Sequence, residues 1–188
     1  MDALHLCGMS FDLSLRFLQR SRHYLGAEYP AKIRAAALTV PADRIWWRAN
    51  PKSNSVGNLL LHLNGNVRQW IVSGVGGAPD VRHRDIEFAA QAGADVGVLL
   101  DRLDATLREV VAVLDTLDAN TLGESRMIQG RETTVFAAIY HVVEHFSGHT
   151  GQIILLAKSF NDGAVRFYDD TGGLARPLFL PEGTHDVD

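Results

Sequence analysis

The chain has 188 residues, 46% apolar and 21% charged, which argues against disorder except at the ends and fits one globular domain with a sizeable core. A formal charge of -4 and a pI near 6.0 leave no basic field for nucleic acid or an anionic membrane surface. Cys7 is the only cysteine, and the sequence shows neither a basic leader with a long apolar run nor a membrane-spanning stretch. The expectation is a cytoplasmic protein with a single domain over residues 1–188 and an irregular C-terminal tail from about residue 161.

From about Phe11 to Leu38, apolar residues recur at helical spacing: Leu13, Phe17 and Tyr24 share a face, Leu18 and Leu25 flank it, and Ile33 and Leu38 lie beyond. Pro30 predicts a kink or break near Tyr29, because proline lacks an N–H and restricts the residue before it. In SNSVGNLLLHLNGNVRQWIVSG, Ser53 or Ser55 caps a second helix and Gly74 ends it; Val56, Leu60, Leu63, Val67 and Trp70 make its buried stripe. His62 lies roughly 110° from the centre of that stripe, an edge position that periodicity alone does not turn inward. A third helix runs from about Asp95 to Leu117, with Val96, Leu99, Leu103, Leu107, Val110, Leu114 and Leu117 at spacings of three and four.

NTLGESRMIQGRETT then offers a small hairpin or an extended connection around Gln129-Gly130. Thr133 or Thr134 caps the fourth helix, about Val135 to Lys158, whose core stripe is Val135, Ile139, Val142, Phe146, Ile153 and Ala157. Asn161, Asp162 and Gly163 stop it, and the tail after them has no helical period. Four long amphipathic segments without internal repeats predict an all-α, four-helix bundle.

The fourth helix carries HVVEHFSGHTGQI, with His141, His145 and His149 each one turn apart on one side. His149 and then His145 fall on a shoulder of the core stripe, and His141 turns further toward solvent. A lone histidine on a helix is usually solvated, but His145 and His149 facing His62 on another helix would supply three neutral imidazoles. Such a set binds Zn, Ni, Cu or ferrous Fe and leaves a coordination position open. HVVEH also matches H-x-x-E-H, the inverted zinc-peptidase pattern with Glu144 as base; that pattern needs a downstream acidic ligand, and Glu182 stands only in the tail. Gln152 and Asn66 follow His149 and His62 by about one turn and are candidates for contacts behind the ligands or to substrate. In RHRDIEF, Arg84, Asp85 and Glu87 are placed to bind an anion or assist proton transfer, against the plainer reading of a solvated charge run. Gly148 and Gly151 weaken a helix, which close helix approach or room over a metal would explain.

These residues together resemble the DinB superfamily, the YfiT-like metal-dependent enzymes: SVGNLLLHLNGNVRQWIVSGVGG on the second helix, then HFSGHTGQI on the fourth, over a stretch from near Leu13 to near Lys158. The resemblance implies an up-down-down-up bundle in which His62, His145 and His149 hold a divalent ion, Ni or Zn foremost and Fe also, with His141 outside the triad as an additional imidazole open to a role as fourth ligand, proton shuttle or substrate contact. Thr150 stands where many members carry Arg. The resemblance further implies a homodimer and a small-molecule substrate, and it points to an S-transferase that uses a low-molecular-weight thiol in stress or detoxification. A metal-dependent hydrolase and a non-catalytic metal- or ligand-binding bundle are the alternatives. Hydrolysis wants a carboxylate beside the attacking water, which the sequence does not place.

Overall fold

The computed structural model describes residues 3–161, 163, 165–173 and 175–179, with side chains from Leu13 onward. Asp162, expected in the helix stop, and Glu182 lie outside the described residues, as do the side chains of Cys7 and Phe11.

The fold is mostly helical. Its first rod has three parts: α1 (Ala3–His23), a π-helical stretch (Tyr24–Glu28) and α2 (Tyr29–Ala37). The break expected at Tyr29 appears as a change of winding, with the wider π turns directly ahead of Pro30 in the first turn of α2, where its missing N–H costs nothing. The buried face also differs from the one expected. Leu18, Leu25, Tyr29, Ile33 and Ala36 enter the core, whereas Leu13 and Leu38 are 65% and 55% exposed. Ser21 is the reason: it sits buried on the core side between Leu18 and Leu25, so the true stripe reads as interrupted.

The second rod is α3 (Val56–Val67) continued by a π-helical stretch (Arg68–Val75). Ser55 caps it through a reciprocal box, its Oγ accepting from the Asn58 amide at 3.1 Å while Asn58 Oδ1 accepts from the Ser55 amide at 3.1 Å. The rod ends at Val75, one residue past the expected Gly74. Short α4 (Arg84–Ala89) lies across α3, so α3 is buried on more than its core stripe.

α5 (Val96–Thr116) buries Leu99, Leu103, Leu107, Val110 and Leu114, as its periodicity predicts. β1 (Ser125–Ile128) and β2 (Arg131–Thr134) form the hairpin, pairing Ile128 with Arg131 across a two-residue turn in which Gln129 and Gly130 have φ of 54° and 71°. Two successive positive φ values match the strand twist, and glycine takes the second without strain. Thr134 then caps α6 (Val135–Phe160) by accepting from the Ala137 amide, and all six residues of the predicted stripe are fully buried. The tail is more ordered than expected: β3 (Tyr168–Asp169) pairs with β4 (Arg176–Pro177), and Val165 and Phe167 bury themselves on the core.

The first rod packs on α5 and α6, and the α3 rod packs on the same two helices. Side-chain pairs give their directions. Arg22 with Asp115, and Arg34 with Asp104 at 2.6 Å, run the first rod antiparallel to α5. Phe17 with Phe136, and Tyr29 with Phe146, run it parallel to α6. Arg68 with Glu109, and Gly76 against Val113, set the second rod parallel to α5. Burying a side chain such as Phe146, Leu63 or Ile33 contributes about 1.5–3 kcal/mol, so this shared core is what fixes the α3–α6 seam. No helix among the described residues is long and apolar enough to cross a membrane.

Candidate metal centre

The seam between α3 and α6 brings His62, His145 and His149 together. The two helices run antiparallel here, with His62 beside His145 and His149, and Trp70 further along beside His141. One ligand-type nitrogen from each of His62, His145 and His149 lies within 4.8 Å of the others. His62 is 4% exposed; His145 and His149 are half-buried, so the cluster is reached from the α6 side. His62 Nε2 and His145 Nε2 approach to 2.9 Å, and the His145 and His149 rings cross nearly perpendicular with centroids 4.4 Å apart.

Burial explains the position of His62. Its edge location on α3 would leave it wet if α3 had a single buried face, but α4 closes that side, and Phe88 of α4 packs its ring 4.6 Å from the imidazole. On the outer side, His62 Nδ1 lies 2.9 Å from Glu87 Oε2. Arg82 grips the same carboxylate twice, Nε to Oε1 at 2.7 Å and Nη2 to Oε2 at 2.7 Å, and gives Nη1 to Gln69 Oε1 at 2.9 Å.

The electrostatics suit neutral imidazoles. Burial pushes His145 down to about 3, helped in turn by His149, His62, His141 and Arg82. Burial also lowers His149, partly opposed by its hydrogen bond to Gln152, and lowers His141 against the pull of Glu144. Glu87 goes the other way: burial works against its carboxylate, yet the hydrogen bonds from Arg82 and His62 outweigh it and hold the group below the usual range. Neutral imidazole lone pairs are the form in which histidine binds metal, so the donor set fits a divalent ion.

The other predicted residues sort themselves by contact. Gln152 Oε1 lies 2.8 Å from His149 Nδ1 and orients that ring from behind. Asn66 is 4% exposed, and its buried Oδ1 has no hydrogen-bond partner. His141 stays outside the close group, its ring 4.3 Å from Trp70 and 5.4 Å from His145. Arg84 is exposed, with its guanidinium 4.8 Å over the Phe88 ring, so its link to the cluster is indirect. Arg82, two residues earlier in the same run, makes the direct contacts that sequence reasoning did not assign to it, and Glu87 faces His62 rather than solvent. The signal that could have found them is the spacing of five between Arg and Glu around a helix start. Glu144 is exposed on α6, and Gly148 and Gly151 face open space, with no helix close to either. The expectation of close helix approach at those glycines is corrected accordingly.

A family model described as "Protein of unknown function (DUF1572)" matches residues 12–168. The chain belongs to this family. A search of curated proteins returns no match. The DUF1572 match runs from α1 to Tyr168, so it takes in His62, the α4 cover and all three α6 histidines.

Proposed function

We propose that this chain is a DinB-like, up-down-down-up four-helix bundle that binds a divalent metal ion through His62, His145 and His149, and that it acts as a metal-dependent S-transferase on a low-molecular-weight thiol. The observation that carries the reading is the convergence of three imidazoles from two helices 83 positions apart in sequence. The parallel and antiparallel pairs of the rods support the bundle topology.

A bound divalent ion would lower the pKa of a thiol, making thiolate available at neutral pH without a protein base. The chain's own residues supply the rest. His62, His145 and His149 present ring nitrogens; Gln152 and Glu87 orient two of those rings; α4 and Phe88 keep water from the His62 side. Hydrolysis is less well served. It asks for a free carboxylate near the reacting water, whereas Glu87 is committed to Arg82 and His62, and the close group of ligand-type side chains among the described residues is all histidine.

The test is elemental analysis of untagged protein, wild type beside His62→Ala, His145→Ala, His149→Ala and His141→Ala. The expected result is near one equivalent of Ni, Zn or Fe, lost in the first three variants and kept in the fourth. Loaded protein should then accelerate conjugation of a model electrophile by at least one thiol from a panel. Metal content unchanged by the three substitutions would remove the triad, and a loaded protein inert toward every thiol would remove the transferase.

A further inference from the structure

The contacts on the far side of His62 define a device for choosing which of its nitrogens carries the proton. A separation of 2.9 Å between Nδ1 and a carboxylate oxygen is a hydrogen bond only if a proton lies between them. Arg82, whose side chain is 4% exposed, holds Glu87 through two parallel N–H bonds, an arrangement that belongs to an ionised carboxylate. The proton therefore sits on His62 Nδ1. Arg82 Nη2 also lies 3.1 Å from Nδ1 and could only donate to it, which would need Nδ1 bare and leave the closer Glu87 Oε2 at 2.9 Å facing it acceptor to acceptor, so the carboxylate decides the tautomer. With Nδ1 protonated, Nε2 keeps its lone pair and the proton shared at 2.9 Å with the neighbouring ring belongs to His145.

The surroundings are shaped to hold that carboxylate in place. A Cβ on Gly65, about one turn beyond His62 on α3, would stand 2.0 Å from Glu87 Oε1 and 2.8 Å from its Cδ. Glycine inside a helix costs about 1 kcal/mol relative to alanine, and here it provides the space the carboxylate occupies. Asn58 Nδ2 donates to the carbonyls of Glu87 and Ala90, and Arg48 Nη2 donates to those of Phe88 and Ala90, which pins the backbone of α4 at this position.

We propose that Glu87, clamped by Arg82 and housed by Gly65, is the positioning residue that fixes His62 as its Nδ1–H tautomer and so presents Nε2 toward His145 and His149. Its consequence for metal affinity rests on the metal-site reading; the tautomer itself does not. Outer hydrogen bonds of this kind typically change metal affinity by about 10–100-fold when removed.

The experiment compares wild type with Glu87→Gln and Gly65→Ala. Long-range proton–nitrogen NMR on metal-free protein reads the His62 tautomer, zinc affinity is measured by competition with a chromophoric chelator, and melting curves report the fold. The Glu87→Gln substitution keeps the size of the side chain, but the new amide NH2 would meet either Arg82 or His62 as a second donor, so one contact must fail. Wild type should show Nδ1–H at His62, and both variants should mix the tautomers and weaken zinc by about 10–100-fold. A merely structural role would lower the melting temperature and leave tautomer and affinity alone, which would overturn the proposal. So would wild-type His62 protonated at Nε2, a result readable even if neither variant folds. Wild type that takes up no zinc yet shows a fixed Nδ1–H lost in Glu87→Gln would sink the metal reading and uphold the positioning role.

Discussion

At the residue scale, three histidines on one helix differ in their surroundings. His145 and His149 meet His62, while His141 meets the Trp70 ring. The sequence spacing supplied the first two, since a period of four on a known core shoulder leaves little freedom. Neither His62 nor Arg82 was legible in that way: their positions depend on α4 folding over α3, a contact between segments about 25 residues apart that no local period encodes. The desolvation of the three α6 imidazoles has a measurable consequence. Burial lowers His145, His149 and His141 in the folded chain, while the unfolded chain titrates near 6.5. Below about 6.5 the unfolded state takes up protons that the folded state refuses, so stability falls with decreasing pH until the folded-state values are reached, about 3 for His145. Chelator-treated protein should therefore melt at a lower temperature at pH 5 than at pH 7.5, with a smaller drop in His145→Gln. Equal drops in the two proteins would mean that the His145 ring is not desolvated.

At the scale of the element, α6 was the most legible segment, because its cap, its hairpin lead-in and its six-residue stripe are all local chemistry. The first rod was less so: buried Ser21 interrupts its stripe, and the interruption expected near Tyr29 takes the form of a π turn before Pro30. Gly148 and Gly151 of α6 both face open space, which rules out close helix approach at either and leaves room on that face. Gly148→Ala and Gly151→Ala should accordingly stabilise metal-free protein by about 0.5–1 kcal/mol each, since alanine restricts the unfolded chain and favours the helix. Gly57→Ala is the contrast: its Cβ would stand 2.7 Å from the Trp46 ring, so it should destabilise. Chemical denaturation of the three variants checks the signs, and a loss at Gly148 or Gly151 would reveal a close partner for that face.

For the molecule as a whole, helix content was readable because each long segment is amphipathic, whereas the pairing of rods was not, because it rests on core contacts between residues as distant in sequence as Tyr29 and Phe146. The tail was read as irregular because a pair of two-residue strands leaves too short a pattern to detect. Since the three imidazoles join α3 to α6, ion binding should stabilise the whole cooperative unit. A ligand at about 100 times its Kd adds about 2.7 kcal/mol to a folded state that alone binds it. Calorimetry should show a single transition moving up on adding Ni or Zn and back on chelation, while His149→Ala stays put. A transition that ignores the ion would mean the histidines do not bind it in the native state.

The packing of Trp70 on His141, whose ring lies 5.4 Å from that of His145, also gives the protein an optical handle. Trp47 instead packs on Phe160, and Trp46 on Gly57 and Gly93. An indole so near the histidines makes its fluorescence a gauge of the ion's electronic configuration. Open-shell Ni or ferrous Fe would quench Trp70 emission, closed-shell Zn would leave it bright, and a cuvette titration would separate them without labels.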